Sequence, residues 1–183
     1  MEIKEYIKIY DNCIDFKTLS NFLKYINTLN FEEATIGAKN QVNFDIRKTF
    51  NYTLSNKADI FSDVHWHNYL VYVFNNAYQD YCSRFKHATF KTLELINILK
   101  YEEGGFYKDH VDHFTEIPRT LSAIFFLNND YQGGNLCFNI GGKELIIETI
   151  PNRMIVWPSN FLFPHQVKQV IKGVRYSVIS WAL

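Results

Sequence analysis

At 183 residues the chain is long enough to bury one substantial core and short enough to be one domain. Basic and acidic residues number 19 each, so the formal net charge is zero and no basic run supplies a nucleic-acid footprint. Three widely spaced cysteines, Cys13, Cys82 and Cys137, form neither a CxxC pair nor a disulfide framework, which points to a reducing compartment.

Sixteen Phe and twelve Tyr fit a β-rich interior lined with rings. The N-terminal Met1-Glu2-Ile3-Lys4-Glu5-Tyr6 carries charges where a signal peptide needs an apolar core, and no apolar run approaches a membrane-spanning length. The expectation is a soluble, cytoplasmic protein without a membrane partner.

Tyr6 to Tyr10 reads as a short strand ending at the Asp11-Asn12 turn signal. Asp15 caps a predicted helix to about Leu29, with Phe16, Leu19, Phe22, Leu23 and Ile26 on one stripe. Val42 to Leu54 reads as an edge strand. A longer helix is expected from about Ala58 to Phe85, with Ile60, Val64, Tyr69, Val71, Val73, Phe74 and Tyr78 giving a broad apolar face. Leu93 to Tyr101 is nearly continuous apolar sequence, as in a strand covered on both sides. Strands then follow over His110–Phe114, Arg119–Asn128, Asn135–Ile140, Glu144–Ile150, Arg153–Trp157, Pro164–Val170 and Arg175–Leu183, separated by Asn/Asp, Gly-Gly and Pro-Asn turn signals. No repeat or linker interrupts the chain. The pattern predicts a mostly β domain spanning 1–183: N-terminal helices and edge strands over 1–90, then a cupin-like jelly-roll core over 91–183 with the helices packed on one sheet.

The chemistry concentrates in Tyr101-Glu102-Glu103-Gly104-Gly105-Phe106-Tyr107-Lys108-Asp109-His110-Val111-Asp112. His110 and Asp112 stand two apart, so in a strand their side chains leave one face and can converge on one metal ion. Pro164-His165-Gln166-Val167-Lys168 offers a third ligand, His165, with Gln166 and Lys168 alternating outward. Two imidazoles and one carboxylate on one side of a metal leave the opposite positions open, which suits oxygen-activating non-haem Fe(II). Zinc accepts the same ligand types. Ten residues past His165, a strand beginning at Arg175 puts Arg175, Ser177, Ile179 and Trp181 on one face. A guanidinium fork beside a hydroxyl on an otherwise apolar face is shaped to grip a carboxylate. That clamp argues for iron, since a zinc hydrolase has no need of it. The His65-x-His67 pair falls on the long helix, where its members point to different faces, and His113 alternates outward.

Tyr-x-x-Gly-x-x-Tyr-x-x-His-x-Asp, a distal His, an Arg ten residues on and a Trp six after that resemble the 2-oxoglutarate- and Fe(II)-dependent dioxygenases, most of all the prolyl 4-hydroxylase branch. The resemblance covers the chain from about Leu93. It implies the double-stranded β-helix fold, with His110, Asp112 and His165 as metal ligands and catalytic centre. It also implies that Arg175 meets the far carboxylate of 2-oxoglutarate, with Ser177 and Tyr101 as further contacts. Fe(II), the co-substrate 2-oxoglutarate and O2 are the implied cofactors, with ascorbate a candidate reductant. Tyr107 is expected to line the entrance and Trp181 to wall the pocket. Arg47 resembles an arginine that precedes the barrel in prolyl hydroxylases and is a candidate substrate contact; read from the residues alone, it is a solvated edge-strand arginine. Arg119-Thr120-Leu121-Ser122-Ala123-Ile124-Phe125-Phe126-Leu127-Asn128 resembles the family's Arg-x-x-Thr-x-x-x-Tyr-Leu-Asn strand, with Ser122 for Thr and Phe126 for Tyr. A hydroxyl used on the co-substrate is thereby missing. Collagen-type relatives place Lys where Arg175 stands, a departure that bears on substrate more than on reaction.

The implied activity is hydroxylation of an unactivated C–H bond, first of a prolyl residue in a peptide or protein. The alternatives are a hydroxylase of a free amino acid or other side chain, a zinc-dependent cupin-like hydrolase or isomerase, and a non-catalytic ligand-binding jelly roll.

Overall fold

A computed structural model describes residues 2–35 and 41–183. In chain order the strands are β1 (Lys8–Tyr10), β2 (Glu32–Glu33), β3 (Arg47–Lys48), β4 (Phe50–Leu54), β5 (Ile96–Tyr101), β6 (Phe106–His110) and β7 (Leu121–Phe126). They continue with β8 (Gln132–Gly133), β9 (Leu136–Ile140), β10 (Lys143–Ile147), β11 (Arg153–Pro158), β12 (His165–Val167), β13 (Val170–Lys172) and β14 (Arg175–Ala182). The helices are α1 (Phe16–Ile26) and α2 (Phe61–Arg84). A seven-stranded antiparallel sheet runs β1-β11-β7-β14-β5-β4-β2, and a five-stranded one runs β10-β9-β12-β6-β3; β8 and β13 form a separate pair. The expected mostly β architecture with helices on one sheet is what forms.

Strand alternation sorts the core into two layers. Val178 and Ala182 of β14, Met154 and Val156 of β11, and Ile96 and Ile98 of β5 pack outward against α1 and α2. Ile124, Phe126, Ile155 and Trp157 turn the other way and meet Leu136, Phe138 and Ile147 of the smaller sheet. Phe22, Leu70, Phe74 and Tyr78 are fully buried between the helices and the large sheet, and each such side chain contributes about 1.5–3 kcal/mol. The Tyr78 hydroxyl donates to Ser180 O at 2.7 Å, tying α2 to β14.

Asp15 caps α1 as expected, its carboxylate accepting from Thr18 N at 2.9 Å. The helix stops at Ile26, not Leu29, because Thr28 N turns back to Tyr25 O. The buried face of α2 includes Asp63, whose carboxylate accepts from the hydroxyls of Tyr25 and Tyr52, each at 2.5 Å. Ile60, placed on the apolar face by periodicity, lies before the helix and is 58% exposed. No helix among the described residues is long and apolar enough to cross a membrane.

Three strand expectations are corrected. The stretch 42–54 is not one strand: β3 pairs with β6 in the small sheet and β4 with β5 in the large one. The chain changes sheets at buried Thr49, whose hydroxyl donates to Lys100 O at 2.9 Å. The stretch 164–170 breaks into β12 and β13, which pair with different partners. And β6 ends on His110 instead of beginning there, leaving Asp112 in a bend beyond it.

Candidate active site

His165 and His110 are register partners across β12 and β6. Two residues along β12, Val167 pairs with Tyr107, three residues back along β6, so β6 carries a bulge. The surplus falls at Lys108 and Asp109, which are both exposed. Tyr107 and His110, an odd three apart, therefore both turn inward, with their rings stacked at 3.6 Å between centroids. Strict alternation would have sent them to opposite faces.

Asp112 reaches the same point from the bend. Its Oδ1 lies 3.7 Å from His110 Nε2 and its Oδ2 3.5 Å from His165 Nε2. One ligand atom from each of the three lies within 4.8 Å of the others, a spacing that can hold one metal ion. His110 Nδ1 meets Lys108 O at 2.8 Å and His165 Nδ1 meets Phe163 O at 3.1 Å. Carbonyls only accept, so both Nδ1 atoms carry a proton and both Nε2 atoms are turned to the centre. Burial, then the neighbouring His165, pushes the His110 pKa well below its ordinary 6.5 despite the opposing Asp112 carboxylate. Burial works against ionising Asp112, but His165, His110 and the Ser122 hydroxyl outweigh it and hold the carboxyl below its usual value. His110 is thus held neutral beside an ionised Asp112, and a metal requires ligands in those states.

A cleft of about 530 Å³ opens between the two sheets, and His110, Asp112, His165, Tyr101, Tyr107 and Trp181 all line it. Arg175 lies behind the cleft wall with no exposed surface; across β14 and β5 it pairs with Tyr101, and its Cζ stands 5.0 Å from that ring. Nη1 donates to Ser177 Oγ at 3.2 Å, while Nε and Nη2 are buried without a hydrogen-bond partner among the described residues. Gly134 makes room for this side chain: its φ is +64°, and a Cβ there would come within 3.1 Å of Arg175 Cδ and 3.0 Å of Val170 Cγ2. Phe126 flanks the guanidinium at 5.4 Å and offers no hydroxyl.

Arg47 does stand on an edge strand, β3, but it is half-buried, not solvated. It lines the cleft with its Cζ 4.6 Å over the Tyr107 ring, donates from Nη1 to Thr35 O at 3.1 Å, and keeps a buried Nε with no hydrogen-bond partner among the described residues. Two features of the site escaped the sequence reading. Arg119 spreads over Trp181 at 3.7 Å and grips Glu94 with two hydrogen bonds of 2.6 and 2.8 Å. The Ser122 hydroxyl donates to Asp112 Oδ2 at 2.6 Å. The available signal for Ser122 was its phase on β7, shared with inward Ile124 and Phe126; nothing local named its partner. His65 and His113 are exposed, as expected.

This geometry agrees with the comparisons. Residues 96–183 match the profile described as the 2OG-Fe(II) oxygenase superfamily. That segment belongs to the superfamily. The chemistry of these oxygenases draws on iron(II), 2-oxoglutarate and O2, which accords with a His-Asp-His cluster in the matched segment. A PKHD-type hydroxylase of Colwellia psychrerythraea is 33% identical over 85 residues, 43% of this chain and 37% of the relative. Another, from Rippkaea orientalis, is 35% identical over 98 residues, 50% of this chain and 43% of the relative. The match thus spans about two-fifths of the length of these relatives. Among solved structures, a Trichoplax adhaerens prolyl hydroxylase, in complex with a hypoxia inducible factor peptide fragment, superposes with a TM-score of 0.81 at 19% identity, covering 97% of this chain and 83% of that one. A Pseudomonas putida prolyl 4-hydroxylase gives 0.75 at 17%, covering 97% and 92%. The oxygenase segment and the residues before it together form the fold these proteins share.

Proposed function

We propose that this oxygenase is an Fe(II)- and 2-oxoglutarate-dependent hydroxylase of a prolyl residue in a peptide or protein, with residues 1–183 working as one domain. His110, Asp112 and His165 would hold the iron through Nε2, a carboxylate oxygen and Nε2. Arg175, with Ser177 and Tyr101, would receive 2-oxoglutarate. When bound, iron with 2-oxoglutarate and O2 supplies the oxidation of a C–H bond to C–OH, with release of succinate and carbon dioxide.

The observation that carries the reading is Arg175. A guanidinium with no exposed surface and two unpartnered nitrogens is costly unless an anion arrives to meet it. A dicarboxylate that chelates iron at one end and reaches Arg175 with the other resolves both demands. Leu99, Val167 and Ile179 line the cleft beside Tyr101, and such an apolar lining would exclude water and strengthen the pairing. Tyr107 and Arg47 on one side of the cleft and Trp181 with Arg119 on the other would hold the substrate chain over the metal.

A peptide substrate is favoured by the peptide in the Trichoplax complex. The test is mass spectrometry of proline-containing peptides beside free amino acids, with anaerobically loaded Fe(II), 2-oxoglutarate and air. The expected result is a peptide that gains one oxygen atom for each succinate formed. Turnover supported by zinc without 2-oxoglutarate would overturn the reading, and oxygen gain confined to free amino acids would overturn its substrate.

A further inference from the structure

Asp112 approaches the centre from a bend, so no strand ladder orients its carboxylate. One hydroxyl donates to it, and a second hydroxyl stands behind the first. Ser122 Oγ donates to Asp112 Oδ2 at 2.6 Å, and Ser159 Oγ lies 2.8 Å from Ser122 Oγ. Ser122 and Ser159 are each 1% exposed and Asp112 6%, so water does not compete for these groups.

The direction of the chain follows from proton counting. An ionised carboxylate only accepts, so the single Ser122 proton is committed to Asp112. Ser122 can then only accept from Ser159, whose proton completes a one-way series Ser159→Ser122→Asp112. The far end is anchored by backbone: Ser159 N donates to Thr120 O at 3.0 Å, and Ser159 O accepts from His113 N, next to Asp112, at 3.0 Å. The relay is therefore fastened to the entrance of β7 and to the bend itself, and each hydroxyl polarises the next.

We propose that Ser122 and Ser159 are positioning residues that occupy Asp112 Oδ2 and leave Oδ1 as the single oxygen the metal receives. The proposal rests on the reading of His110, Asp112 and His165 as metal ligands. A carboxylate hung from a bend is otherwise free to turn or to bind through both oxygens, and a second oxygen would take a position the open face needs for 2-oxoglutarate and O2. Serine at 122 supplies the hydroxyl that a threonine would also supply, whereas alanine removes it.

The experiment is anaerobic titration with Mn(II), as a redox-silent probe, and then with Fe(II). It compares the unaltered protein with Ser122→Ala, Ser159→Ala, Ser122→Thr and Asp112→Ala, and records the electron paramagnetic resonance spectrum of bound Mn(II). Ser122→Ala should weaken Mn(II) binding by about 10-fold or more and alter the spectrum, Ser159→Ala should do so to a lesser degree, and Ser122→Thr should keep both close to the unaltered protein. Melting of the metal-free proteins separates this from a loss of folding. If Ser122→Ala does not fold, Ser159→Ala carries the test, because Asp112 keeps its own hydrogen bond there. Unchanged affinity and spectrum in the folded alanine variants overturn the relay. Failure of the unaltered protein to bind Mn(II), or binding that survives Asp112→Ala, instead overturns the metal reading beneath it.

Discussion

His110 and His165 face each other as direct register partners across β6 and β12, with ring centroids 4.3 Å apart. Both rings are locked from behind by a carbonyl two residues upstream, Lys108 O for one and Phe163 O for the other. The backbone thus fixes the orientation of both imidazoles. Replacing His165 with Ala should abolish measurable Fe(II) binding in anaerobic equilibrium dialysis while leaving the circular dichroism spectrum intact.

Arg175 yields a prediction with two opposite signs. In Arg175→Met the buried, half-unpartnered cation is replaced by an apolar side chain of similar length. Such replacements are neutral or stabilising by about 1–4 kcal/mol. Without ligands the variant should melt at or above the unaltered protein. Its 2-oxoglutarate requirement should rise by roughly 100-fold or more, as expected when one partner of a buried charge pair is removed. Iron binding should persist, because the guanidinium is not a ligand. A lower melting temperature with an unchanged 2-oxoglutarate requirement would show Arg175 to be structural.

Gly134 supports that arginine through space alone. Gly134→Ala places a methyl group within 3.1 Å of Arg175 Cδ at a φ of +64°. The 2-oxoglutarate requirement should rise several-fold, with Mn(II) affinity unaltered, when decarboxylation is followed against co-substrate concentration.

Much of the architecture is legible in the sequence because it depends on short-range pattern. The Asp15 cap, the two helices, the alternation of β14 and the inward phase of His165 are all read from neighbours within a few residues. What escapes is set by pairing at a distance. The bulge at Lys108 and Asp109 shows itself only in the pairing of β6 with β12, and no residue in 106–110 announces it. The 42–54 stretch is β-favouring throughout, so only tertiary pairing reveals that it serves two sheets. Arg47 reads as solvated because its partners, Thr35 and Tyr107, lie 12 and 60 residues away. The convergence of His110 with Asp112 is right in outcome, yet the reason differs: a bend, not strand phase, brings the carboxylate round.

Acid should weaken the metal-free fold through His110. The unfolded chain takes up a proton near pH 6.5, whereas the buried imidazole resists it, so the unfolded state binds more protons as pH falls below 6.5. Stability is retained above that value and lost below it, by about 1–2 kcal/mol between pH 6.5 and about pH 5. Urea midpoints at the two pH values should differ less in His110→Gln than in the unaltered protein; equal pH sensitivity would remove His110 as the cause.

Away from the centre, Asp63→Ala should cost about 2–4 kcal/mol, since it strands the Tyr25 and Tyr52 hydroxyls that join α1 and β4 to α2. Urea unfolding measures the loss. Mn(II) affinity of the folded fraction should not change, which separates support of the scaffold from support of the site.

The most direct measurement is an anaerobic calorimetric titration of Fe(II), with and without 2-oxoglutarate, into the unaltered protein and Asp112→Ala. The account predicts one ion per chain, tighter binding when 2-oxoglutarate is present, and no binding after the substitution. An ion retained by Asp112→Ala, or an affinity indifferent to 2-oxoglutarate, would contradict it.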